Sequence, residues 1–156
     1  MSNDLLYKVA YGEGVRSLSE QQGVIDSLRA RAGLLLSTAA VTTSFLGPQA
    51  LDGGSLNFFS WLALTGFVGV ATASLAILWP RRWEVGADPC GVIDACMGLE
   101  DPVPAEELYR ELSLLLHEGY LENREGLERL VVFFQVASGL LTAEVALWII
   151  AIILVL

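Results

Sequence analysis

Glu144 is the residue of this chain best placed to do chemistry, because it is an acid in the middle of an apolar run, Val131–Leu156. A carboxylate at the centre of a bilayer costs on the order of 3 kcal/mol on insertion scales, so such a group faces protein or water rather than lipid. It could line an ion pathway or bind a cation. As a protonated acid it could equally hydrogen-bond a Thr or Ser of a neighbouring helix. Gln135, Ser138, Gly139 and Thr142 form a second polar stripe on the same run. Glu144 follows Gln135 by nine residues, and nine helical steps of about 100° put the two on opposite faces. One polar face can serve the chain's own helices. The other then requires a second subunit or a water-filled pore, which makes a homo-oligomer the expected state.

The remaining ionisable groups point to surfaces rather than to catalysis. Glu118, Glu122, Glu125 and Glu128 alternate with Arg124 and Arg129 as a solvated helix face with i,i+4 pairing. His117 reads as an exposed or helix-packed histidine, with a pH-sensitive role as the sharper alternative. Arg29 and Arg31 would anchor an apolar run at the headgroups, or bind phosphate. Together with Arg124 and Arg129 they are the candidates for membrane-proximal or ligand sensing. Cys90 and Cys96, with five residues between them and on the side expected to be reducing, are poor candidates for a disulfide or a zinc site. There is no G-x-x-x-x-G-K-[ST] loop, no G-x-S-x-G elbow and no H-E-x-x-H pair. The expectation is no catalytic residue, no metal and no enzyme.

The elements that position these groups are helices. Three apolar runs, Ala32–Leu51, Phe58–Pro80 and Val131–Leu156, each reach the roughly 20 residues that span a bilayer of about 30 Å. Residues Leu5–Arg31 read as a helix leading into the first run, with Tyr11, Leu18, Ile25, Leu28 and Ala32 on one stripe and Gln21 and Gln22 interrupting it. The first run ends at Gly47-Pro48. In the second, Thr65, Gly69 and Ala73 recur every fourth residue, small side chains that let helices approach closely in lipid. Gly69 therefore joins Gln135, Ser138, Thr142 and Glu144 as a candidate for membrane assembly or permeation. Asp52-Gly53-Gly54-Ser55 fits a tight hairpin, and Trp79, Arg81, Arg82 and Trp83 an inner interface. Pro104, followed by Ala105-Glu106-Glu107, starts a helix that continues to the end of the third run. Over Ala105–Leu130 that helix is about 40 Å long, so it should stand beside the N-terminal helix as a two-helix stalk.

Composition and charge agree with a membrane protein. The chain has 156 residues, 54% of them hydrophobic, with a mean hydropathy of +0.55. Its nine Lys and Arg residues all precede the first run or fall between the second and third. The positive-inside rule then sets the N-terminus and 81–130 in the cytoplasm, with the 52–57 connector and the C-terminus outside. The net charge of −9 would repel nucleic acid. No cleavable secretory signal is expected, since the first apolar run begins late. The expected organisation is an all-α membrane protein with three transmembrane helices and a long-helix cytoplasmic stalk. It comprises an N-terminal helix (1–30), a two-span hairpin (31–80), an acidic cytoplasmic segment with a long helix (81–130) and a third span (131–156).

This layout resembles the Pycsar transmembrane effector family and, more distantly, the SLATT-type two-span effectors of bacterial antiphage signalling. Arg31-Ala32-Gly33-Leu34-Leu35 is similar to that family's Lys-Ala-Gly-(apolar)-Leu stretch at the start of the first span. Glu118-x-Tyr120 and Arg124 are similar to a Lys-Tyr/Arg segment before the third. The family tends to carry an acid two residues before that Lys, where this chain has Arg29. The resemblance implies an inner-membrane effector that senses a cyclic nucleotide or partner protein, oligomerises and impairs the membrane. The alternative is a non-enzymatic membrane anchor or scaffold that recruits a cytoplasmic partner through its acidic part.

Overall fold

A computed structural model describes residues 3–50, 57–80, 83, 90–91 and 103–154. Among these residues the chain is all-helical, with no strand. Three long helices carry it: α1 (Asn3–Ala50), α2 (Phe58–Leu78) and α3 (Ala105–Ile153). The predicted hairpin at Asp52–Ser55, the anchors Arg81 and Arg82, and Cys96 lie outside the described residues.

The start of α3 follows its sequence. Pro104 presents its carbonyl to the amides of Glu107 and Leu108, at 3.0 and 3.2 Å, and Glu106 and Glu107 sit in the first turn, where acids meet the positive end of the dipole. α2 is capped by Asn57, whose Oδ1 accepts from the Ser60 amide at 2.8 Å and from the Ser60 hydroxyl at 2.9 Å. The end of α1 differs from expectation. The helix passes through Gly47-Pro48 and stops at Ala50. Pro48 falls in the last turn, where it makes no N–H bond back to the Ser44 carbonyl and its ring crowds that carbonyl.

Two of the helices, α2 and α3, are long and apolar enough to cross a membrane by length and composition. α1 falls short by that measure, because Ser37, Thr38, Thr42, Thr43 and Ser44 dilute its apolar half.

The chain divides into two compact units. The first comprises Met1–Ile25 with Arg81–Leu127, and the second Asp26–Pro80 with Glu128–Leu156. In the first unit α1 and α3 run parallel. Tyr11 and Tyr109 stack at an angle with ring centres 5.7 Å apart, Gly14 lets Leu116 approach, and Gln21 Nε2 donates to the Tyr120 carbonyl at 3.2 Å. Leu18 and Ile25 are buried as the stripe predicts, and Gln21 is buried with them rather than interrupting them. Gln22 is exposed.

The second unit buries mainly small side chains and exposes many large apolar ones. Its buried residues are mostly small or polar: Ala32, Ala39, Ala63, Ser60, Ser74 and Glu144. Large apolar side chains such as Leu34, Phe45, Phe58, Val68, Leu75 and Val132 are exposed on all three helices. A water-soluble bundle places these classes the other way round. The inward stripe of α2 runs Ala63, Val70, Ala73 and Ile77, with Gly66 beside it. Thr65 of the predicted small-residue row faces outward instead, because the larger Val70 and Ile77 occupy the inner face.

Candidate functional site

The polar centre of the second unit is built around Glu144, which is 0% exposed. α1 supplies Thr43, whose hydroxyl donates to Glu144 Oε1 at 2.6 Å. α2 supplies Gly66, where an added Cβ would stand 3.4 Å from Glu144 Cβ, so the absence of a side chain lets the two backbones close in. One turn further along α3, Trp148 is buried against Gly47 of α1 and Ala63 of α2 belongs to the same apolar cluster. The carboxyl is thus enclosed by all three helices of the unit. Its second oxygen, Oε2, and the Trp148 indole Nε1 are buried with no hydrogen-bond partner among the described residues. Of the two readings of Glu144, the geometry matches the hydrogen bond to a Thr on a neighbouring helix.

The other polar residues of α3 take the opposite face. Gln135, Gly139 and Thr142 are exposed, and Ser138 is half-buried. Open space surrounds Gly139. Thr142 donates back to the Ser138 carbonyl and Ser138 to the Phe134 carbonyl, at 3.0 and 2.8 Å. The same return to the carbonyl four residues earlier is made by Ser37, Thr38, Ser44, Thr65 and Thr72. Seven hydroxyls of this unit therefore need no water. Thr43 departs from the pattern by reaching Glu144.

Gly69 is used within the unit: an added Cβ would meet Leu140 Cδ1 at 2.9 Å. Asn57, which carried no prediction, ties the beginning of α2 to the end of α3 by donating Nδ2–H to the Ala151 carbonyl at 3.2 Å. The signal for it was available, since a lone Asn before an apolar run is a helix cap.

Arg29, Arg31 and Arg129 belong to the second unit and Arg124 to the first. Arg29 Nη1 stands 4.0 Å from Asp26 Oδ1. Arg31 is exposed, and Arg124 and Arg129 are exposed but engaged by other groups.

The first unit holds a half-open cleft of about 310 Å³ between its two helices. Glu13 and Ser17 line it from α1, and Ser113, His117 and Tyr120 from α3, with Gly14 and Leu116 between them. Leu5, Leu6, Val9, Leu114, Leu115 and Leu121 of the same unit are exposed. No cluster of three or more His, Cys, Asp or Glu suited to a metal occurs among the described residues. Cys90 is exposed. No protein-family model matches the chain, and no curated protein or solved structure does either.

Proposed function

We propose that this chain is a three-span membrane protein whose α3 associates with copies of itself and whose assembly impairs the membrane. In this reading the N-terminus and 81–130 are cytoplasmic and the C-terminus is outside. A cyclic nucleotide or protein partner recognised by the cytoplasmic part favours the assembled state over the dispersed one. The observation that carries the reading is the apolar exterior of the second unit. Large apolar residues face outward on α1 as well as on α2 and α3, and hydroxyls return to their own helices, as a medium without water requires. This supports counting the apolar half of α1 as a span despite its diluted composition. Trp61 and Trp79, both more than half exposed, sit near opposite ends of α2, about 27 Å apart at 1.5 Å per residue, a spacing that suits the two interfaces.

Self-association follows from the other face of α3. Glu144 is enclosed inside the protomer and bonded there by Thr43, whereas Gln135 points into what would be lipid. An amide is both donor and acceptor, so a second copy completes it. Gly139 and Ala143, four residues apart and both exposed, would let two such helices come close. The effector role itself rests on the resemblance in layout.

Induction in bacteria, with and without cyclic nucleotides, tests the reading through membrane potential and growth. The expected result is depolarisation under at least one condition, abolished by Gly139→Leu. An intact potential under every condition would overturn the effector role. It would leave the anchor reading, for which the exposed leucines of the first unit supply a docking surface.

A further inference from the structure

Arg29 is a polar group that the helix packing leaves incompletely used. Its guanidinium carries five N–H donors in a planar fork. Among the described residues its one ion-pair partner is Asp26, at 4.0 Å, which is beyond hydrogen-bond length. Nε is buried without an acceptor, yet the side chain keeps 30% exposure, so one edge of the fork is open. The group that fits such an edge is a bidentate oxyanion, above all a phosphate.

The register of the second unit places this fork at one rim of its apolar surface. α1 and α3 run parallel, with Thr43 beside Glu144 and Gly47 beside Trp148. Followed about four turns toward the N-terminus, that register sets Arg29 level with Leu130 and its neighbour Arg129. α2 runs antiparallel to α3, from Asn57 at Ala151 through Gly66 at Glu144 to Gly69 at Leu140. Continued to its end, α2 delivers the exposed Trp79 to the same level. Within the second unit, the exposed large apolar side chains of α1 and α3 start just beyond, at Leu34 and Val132. From this rim to the capped end of α2 is about 30 Å, the thickness of a bilayer core. Here Arg29, Arg31 and Arg129 outnumber Asp26 and Glu128, although the whole chain carries −9.

We propose that Arg29, flanked by Arg31 and Arg129, binds the phosphodiester of an anionic phospholipid in the cytoplasmic leaflet. This rests on the membrane reading above, which puts that rim at headgroup depth. A free phosphate shares the chemistry but not the depth.

The full chain, reconstituted in vesicles of phosphatidylcholine with or without phosphatidylglycerol, is washed with alkaline carbonate, then extracted in mild detergent and its retained lipid weighed by native mass spectrometry. A parallel sample is incubated with inorganic phosphate. The expected result is phosphatidylglycerol retained over phosphatidylcholine by about fivefold, the factor for one arginine at an anionic surface. Arg29→Gln should abolish the preference and Arg29→Lys should weaken it, while Arg16→Gln, in the first unit, should leave it intact. Equal retention of both lipids by the wild-type chain would overturn the proposal, and needs no variant that folds. So would a preference unchanged by Arg29→Gln, or phosphate binding without lipid preference. Loss of the chain from the vesicles in the carbonate wash would instead overturn the membrane reading.

Discussion

Thr43 on α1 and Glu144 on α3 are joined by a 2.6 Å hydrogen bond in the interior of the apolar helices. Removing Thr43 alone takes the hydroxyl donor from Oε1 and leaves the acid buried. Thr43→Val should therefore destabilise the unit by about 1–3 kcal/mol. Adding Glu144→Leu removes the stranded group and should recover most of that loss. Detergent unfolding of the two single variants and the double variant measures the coupling, expected at about 0.5–2 kcal/mol.

The two glycines of α2 should respond differently to added bulk. At Gly66 a new Cβ would make ordinary contact with Glu144, at 3.4 Å, so Gly66→Ala should be close to neutral. At Gly69 it would press on Leu140 Cδ1 at 2.9 Å. The end of a leucine can swing away from one methyl, but not from a branched side chain, so Gly69→Val should cost about 1–3 kcal/mol. Thermal unfolding in detergent ranks the two.

Asn57 performs two tasks that can be separated. Asn57→Ser keeps a side-chain acceptor to cap the Ser60 amide and forfeits only the bond to the Ala151 carbonyl. Asn57→Ala loses both, and should be the worse by about 1 kcal/mol. Equal unfolding midpoints for the two would refute the cap as a stabilising element.

In the first unit, Gln21 donates to the Tyr120 carbonyl while its Oε1 is buried without a partner. Gln21→Leu removes a weak bond and a stranded acceptor together, so stability should change by less than about 1 kcal/mol. Gly14→Val, which would thrust against Leu116 Cβ from an added Cβ 3.2 Å away, should instead loosen the helix pair. Hydrogen exchange of the Leu18 and Leu116 amides distinguishes the two effects.

Helix content and the long helices were legible because apolar periodicity and the Pro104 start are local signals. The opposition of Glu144 and Gln135 was legible too, since it depends only on the helical repeat. What the sequence did not reveal was which residue satisfies Glu144. Thr42, Thr43 and Ser44 are adjacent hydroxyls, and choosing Thr43 requires the register between α1 and α3. The same is true of α2: a four-residue row through Gly69 and a slightly rotated one through Gly66 look alike until α3 is in place. Arg29 and Arg129 read as neighbours of the membrane, but only the parallel register sets them at one level.

Self-association through the outward face of α3 is tested most directly by cysteine crosslinking in native membranes. With Cys90 and Cys96 replaced by Ser, Gly139→Cys is compared with Ala137→Cys, whose position is fully buried within the protomer. Oxidation should yield a disulfide-linked dimer from Gly139→Cys and leave Ala137→Cys monomeric. Equal crosslinking at the two positions, or none at Gly139→Cys, would contradict the account.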